Sequence, residues 1–359
     1  MENLMLLQEQ LISPRLSGLG RTIAGNDRVL DVYLHSTAGS VQVGGGGLPQ
    51  TITSQALPSS WRGVMVNTLS RLSQAIDLRF RLVERPEQAE LALYVDREIN
   101  LGDPSGITFG LTLSNSERAT GRSWWEILLN GPELQRSNAD FVDYLIVHEM
   151  AHILGLEHPF DNSDGDFYLS TNPQLSAFPH QTVMAYRQPE GGTWPGWYSA
   201  TDLAALQQVW GAAPGPDQLT SIYRLYNPGT GFHLFSANRG EIDQVTGQGF
   251  VNEGVAYRTS AVASQGLHRF YQLASGRHFY SASDGERDAL LANSASGYLY
   301  EGVAYQVYAA TAAPLNTSPV VRFYDPATAT HFYTASPAEQ QILQTTQPGW
   351  RMEGVAWYA

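Results

Sequence analysis

Apolar residues recur at helical spacing from Ser59 to Ile76, where Trp61, Val64, Met65, Leu69, Leu72 and Ile76 share one face and predict a helix. Arg28 to His35 alternates as a strand ahead of it, and Leu78 to Val83 and Ala89 to Val95 read as strands behind it. Two more strands are expected at Gly106 to Leu113 and Ser123 to Leu129. A long helix should run from about Asn138 to Leu154, capped by Asn138 or Ser137, with Asp140 and Asp143 in the first turns where the helix dipole favours negative charge. A second helix signal is the capping box Ser199 to Asp202, ahead of Leu203, Leu206, Val209 and Trp210 and closed by Gly211. Residues 1–27 show no clear period and are read as an N-terminal segment outside the first domain. Gly44 to Gly47 reads as a mobile connection, since a phosphate cradle needs a Lys-Ser/Thr pair that does not follow.

Ala212 to Leu219 has the Pro and Gly content of a linker. The expected division is a domain at 28–212, a linker at 213–221 and a second domain at 222–359. That second domain is a threefold repeat. Its copies begin at Tyr223, His268 and Val321, and each closes on Glu-Gly-Val-Ala at Glu253, Glu301 and Glu353, intervals of 48 and 52 residues. Each interval has room for two hairpin strands, a short polar helix and a closing strand. Arg224, Arg269 and Arg322 recur in register, as do His233, His278 and His331. One Arg, one His and one Glu per copy are expected to form a hydrogen-bond network in preference to a second metal site. Three copies of a unit that cannot bury its own face suggest a closed, trefoil-like module. The fold class is therefore α+β: a twisted mixed sheet with long helices, then a β-rich pseudo-threefold domain.

The formal charge of −13 over 359 residues argues against nucleic acid as a partner, because phosphate binding needs clustered basic side chains. No apolar run is long enough to span a membrane. With no cysteine, the chain has neither disulfides nor thiolate metal ligands, and no cysteine is available to cap a metal.

The chemistry concentrates in His148-Glu149-Met150-Ala151-His152-Ile153-Leu154-Gly155-Leu156-Glu157-His158. Histidines four apart share a helix face, so His148 and His152 can reach one zinc ion. Gly155 can adopt a left-handed conformation and turn the chain so that His158 becomes the third ligand. Three neutral ligands leave a position for water, whose pKa zinc lowers, and Glu149 stands ready to take its proton.

This extended histidine motif resembles that of the metzincins, zinc endopeptidases with a methionine turn beneath the metal. Met184, in Thr182-Val183-Met184-Ala185-Tyr186, lies 26 residues beyond His158 and matches that turn. Tyr186, two residues later, is similar to the tyrosine of the serralysin and astacin branches, and the resemblance implies a phenol that stabilises the oxyanion. Asp202 to Gly211 resembles the helix that closes serralysin catalytic domains. The resemblance covers roughly Arg28 to Gly211. Unlike typical serralysins, the chain has no glycine-rich calcium repeats after the protease region. The oxygen-rich loop Asp161 to Asp166 is the candidate calcium site instead.

The expected activity is zinc-dependent endopeptidase, with a polypeptide substrate laid along the edge strand Gly106 to Leu113 and a specificity wall from Arg187 to Trp197. The three repeats resemble a bacterial repeat of unknown function appended to secreted hydrolases. That implies targeting, with carbohydrate or a cell-surface component as the ligand class. The alternative is a lectin-like binding protein with a vestigial metal domain. A monomer is expected, exported by a non-standard route; the cytoplasm is the other compartment considered, since no signal peptide is visible.

Overall fold

In the computed structural model, which describes residues 5–45, 50–99, 107–215 and 218–359, the chain divides after Ala213 into two units. Both combine helices with β-sheet, and the fold is α+β.

The first unit begins with α1 (Pro14–Ala24), whose N-cap Ser13 accepts from the Leu16 N–H and whose buried face is Ser17, Gly20 and Ala24. There follow β1 (Val29–Leu34), the hairpin β2 (Gly39–Val43) and β3 (Gln50–Gln55), α2 (Ser59–Ala75), β4 (Arg79–Val83) and β5 (Leu91–Asp96). The unit is completed by β6 (Gly110–Glu117), β7 (Arg122–Asn130), the short α3 (Gly131–Arg136), α4 (Ala139–Ile153) and α5 (Ala200–Trp210). Strands β4, β1, β5 and β7 lie parallel in that order, and β6 runs antiparallel on the outer side of β7. Strand β5 is buried along its whole length, which is why it reads as an almost unbroken apolar run. The β2–β3 hairpin joins the far end of β5 through Ser54 and Gln55.

The described residues 5–27, read from the sequence as an N-terminal segment, have their contacts within this unit. The backbone of Ser13 donates to Gly155 O at 2.9 Å, and Glu157 N–H donates to Leu11 O at 2.9 Å, tying the chain's start to the end of the histidine motif. The described strand β6 starts at Gly110 and runs on to Glu117, later than expected from the sequence, and Gly106 itself lies outside the described residues. Of the Gly44 to Gly47 connection, Gly46 and Gly47 also lie outside them.

In the second unit the same element order occurs three times. The first copy is β8 (Thr220–Asn227), β9 (Phe232–Ser236), α6 (Arg239–Gly247) and β10 (Val251–Thr259). The second is β11 (Gln265–Gln272), β12 (Arg277–Ser281), α7 (Asp284–Ala292) and β13 (Tyr298–Ala309). The third is β14 (Pro319–Asp325), β15 (Thr330–Thr334), α8 (Pro337–Thr346) and β16 (Arg351–Tyr358). Each copy makes an antiparallel three-stranded sheet with the first strand in the middle, and β13 and β16 join the last two sheets. All three copies supply a common core, including Phe235, Tyr257, Tyr280, Tyr305, Tyr333 and Trp357. No helix among the described residues is long and apolar enough to cross a membrane.

Candidate metal centre

Helix α4 carries His148, Glu149 and His152, and it stops in a defined way. Gly155 N–H bonds His152 O at 3.1 Å and Leu156 N–H bonds Ala151 O at 2.9 Å, the paired reversal of a Schellman motif. Gly155 takes φ +105°, and a Cβ there would lie 2.7 Å from Ser17 Cβ, so both backbone and packing require glycine. The reversal carries the chain back to His158.

One ring nitrogen from each of His148, His152 and His158 lies within 4.8 Å of the others. The Nε2 atoms of His148 and His158 are 3.3 Å apart. Two nitrogens each about 2.05 Å from a tetrahedral zinc are separated by about 3.3 Å. The Nδ1 of His148 meets Val183 O at 2.7 Å, and that of His152 meets Leu156 O at 3.0 Å. A carbonyl oxygen can only accept, so both Nδ1 atoms carry hydrogens and both Nε2 lone pairs are left for a metal. Burial drives the basicity down, to about 3 for His148 and about 4 for His152, with the neighbouring ring adding to the effect on His148. His158 falls well below its usual range for the same two reasons. Three neutral imidazoles with one open side form a donor set that fits zinc.

Glu149 is buried beside this trio, and its Oε2 accepts from the Thr112 hydroxyl at 2.7 Å. Burial raises its pKa to about 7, against the opposing pull of Thr112. A Cβ on Gly110 would sit 2.5 Å from Glu149 Oε1, so a side chain there would displace the carboxylate. Neither Gly110 nor Thr112 was marked as a site residue by the sequence, because their relation to Glu149 arises from sheet pairing.

Met184 is fully buried in a turn held from several sides. Asp202 Oδ1 accepts from the Thr182 hydroxyl at 2.6 Å, while Oδ2 accepts from the N–H groups of Val183 at 3.0 Å and Ser199 at 2.8 Å. Tyr144 donates to Ala185 O at 2.6 Å. The same turn therefore offers Val183 O to His148 and is anchored by the capping box of α5. Tyr186 is 48% exposed, with its ring edge-on to His158 at 4.6 Å between centroids and 5.7 Å from His148. Partial burial and the Glu149 charge raise its phenol pKa to about 12.

Glu149, His152, His158 and Tyr186 open into a cavity of about 550 Å³. Gly110, Leu111, Thr112 and Ser114 of β6 line it from one side, while Leu113, and Leu111 in part, packs on the core behind the sheet. Ser13 to Leu16 of the N-terminal segment and the loop at Asp161 to Asp164 supply other walls. Residues Arg187 to Trp197, expected as a specificity wall, are not among those that line this cavity. Trp194 instead packs against Phe141 and Tyr144, and its backbone N–H donates to Asp140 Oδ2 at 2.8 Å.

Residues 221–359 match the family model described as "Domain of unknown function (DUF5648)". The match lies wholly within the second unit. No curated protein matches the chain.

Within those residues the recurring Arg, His and Glu do meet. Arg224 pairs with Glu253 at 2.6 Å, Arg269 with Glu301 at 2.9 Å and Arg322 with Glu353 at 2.7 Å. His233, His278 and His331 approach the same three carboxylates at 3.4, 3.2 and 3.6 Å. Each arginine also reaches another copy, where Arg224 pairs with Glu339, Arg269 with Glu241 and Arg322 with Glu286. Copy one thus binds copy three, two binds one and three binds two, which closes a ring. The sequence did not single out Glu241, Glu286 and Glu339, although each is the third residue of its helix behind an Asn or Ser cap. His233, His278 and His331 do not converge into a metal-holding group among the described residues.

Proposed function

We propose that the first unit is a zinc endopeptidase of metzincin, serralysin-like type, and that the second is a pseudo-threefold module that targets it to a substrate or surface. The observation that carries this reading is the trio of His148, His152 and His158, whose ligand nitrogens lie within 4.8 Å of one another beside a buried carboxylate. A zinc ion held by the three imidazoles supplies a Lewis acid that makes water nucleophilic near neutral pH.

The chain's own residues do the rest. Glu149 accepts the proton of the attacking water and passes it to the leaving amine, and a pKa near 7 suits both transfers. Thr112 fixes that carboxylate on the cavity side of β6. Tyr186, protonated at neutral pH, donates its phenol hydrogen to the oxygen that develops charge on the scissile carbonyl. Strand β6 pairs only with β7 among the described residues, so its free edge can take a polypeptide as an added strand. The vestigial-domain alternative gains no support, because no catalytic position of the motif is missing.

Zinc content and cleavage of an unstructured protein such as casein test this reading in wild type and Glu149→Ala. About one zinc per chain in both, with cleavage lost only in the variant, is the expected result. Equal cleavage by the two would refute the assigned mechanism.

A further inference from the structure

Beside the histidine motif, Glu157, Asp164 and Asp166 bring carboxylate oxygens within 4.8 Å of one another. No basic side chain pairs with any of the three among the described residues. Glu157 is only 4% exposed, and its Oε1 is buried without a hydrogen-bond partner. Asp166 Oδ1 is buried and unpartnered as well. A buried carboxylate oxygen without a donor costs free energy that native structures rarely leave unrelieved.

A proton shared between Glu157 and Asp164, which stand within hydrogen-bonding reach, would ease one contact only. It would still leave the orphaned oxygen of Asp166. One cation can contact an oxygen from each of the three carboxylates at once. Two ligands of a calcium ion at about 2.4 Å can be no more than about 4.8 Å apart, and calcium accepts irregular shells of six to eight oxygens. Magnesium keeps most of its water and rarely takes a site with this many carboxylates, and zinc prefers nitrogen and sulfur.

We propose that Glu157, Asp164 and Asp166 form a calcium site that joins the loop after His158 to the histidine motif. The site differs from the one expected at Asp161 to Asp166, because Asp161 does not belong to the group whereas Glu157, outside that loop, does. Ser13, whose side chain hydrogen-bonds Glu157, lies at its edge. A bound ion would therefore clamp the N-terminal segment, the motif and one cavity wall together. The proposal is independent of zinc at the histidines.

The test uses the full chain loaded with zinc. Terbium is the probe, excited through tryptophan, since Trp125 lines the same cavity as Glu157 and Asp164. Sensitised emission should saturate at one ion per chain and be displaced by calcium. The Asp164→Asn/Asp166→Asn chain should lose at least tenfold in affinity for both ions, with zinc content unchanged. Asn keeps the Oδ1 that Asp164 offers to the Asp166 N–H, so the double variant should fold, which circular dichroism verifies. No saturable emission from wild type would overturn the proposal. So would binding that survives in the folded double variant, or a site that magnesium empties as readily as calcium.

Discussion

Asp202 and Thr182, 20 residues apart in the chain, are joined side chain to side chain at 2.6 Å in a fully buried position. Through that bond the N-terminus of α5 fixes the turn whose Val183 carbonyl orients His148. The orientation of His148 thus depends on a carboxylate that touches no histidine. Burial pushes the Asp202 pKa up, while the bonds from Thr182, Val183 and Ser199 pull it back.

Asp202→Asn removes one acceptor from this node. Zinc affinity should fall roughly 10- to 100-fold, the usual penalty for disturbing a ligand's outer partner. Competition against a chelator measures it. Unchanged affinity in a folded variant would show that the turn holds His148 without Asp202.

Tyr186→Phe keeps the ring against His158 and deletes only the hydroxyl. The value of kcat should drop about 100- to 1000-fold, with KM and zinc content little changed. A packing role alone would leave kcat within a few-fold of wild type.

The ring in the second unit should make its copies interdependent. Substituting Arg269→Gln and Glu241→Gln singly and together should give a coupling of about 1 kcal/mol or more in denaturant unfolding, since the residues pair directly across copies. The pH dependence carries a sign. Burial lifts the Glu241 pKa, but Arg269 together with Ser236 outweighs it and leaves the net value below 4.5; Arg224 is the chief cause of the same lowering at Glu339. Their contribution is complete above about pH 4.5 and is lost as the pH falls through the lowered values. His233, His278 and His331, depressed chiefly by burial, add a loss in the same direction that begins below about 6.5. The melting temperature should therefore decline on acidification from pH 7, and the part below 4.5 should shrink in the double variant.

Tyr280 exchanges hydrogen bonds with the backbone of Phe235, and Tyr333 does so with the backbone of Tyr280. Phe235 occupies the equivalent place in the first copy but lacks the hydroxyl to reach Tyr333. Phe235→Tyr should complete the set and stabilise the chain by about 1 kcal/mol. A loss of stability would mean that the third position is not equivalent to the other two.

Much of this was legible where side chains repeat at a fixed period. The faces of α2 and α4, the capping box of α5, the strands around them and the element order of the repeats all follow from spacing. Helix α1 escaped because its buried face is Ser17, Gly20 and Ala24, with no apolar stripe to detect. Those small residues let it lie close against α4, where a Cβ on Gly20 would come 2.8 Å from Ile153 O. The β2–β3 hairpin escaped because its strands are mostly Ser, Thr, Gln and Gly, with few buried positions. At the site, the histidines and Glu149 share one local pattern. Thr112 and Glu157 join it through sheet pairing and a packed N-terminal segment, neither of which leaves a mark in local sequence; Asp202 is legible as part of a cap, but its bond to Thr182 is not.

The most direct test is X-ray absorption at the zinc edge on the full chain, with His158→Ala for comparison. The account predicts three imidazole nitrogens at about 2.0 to 2.1 Å plus oxygen in wild type, and one imidazole fewer in the variant. A wild-type shell with fewer than three imidazoles, or one unchanged by the substitution, would contradict it.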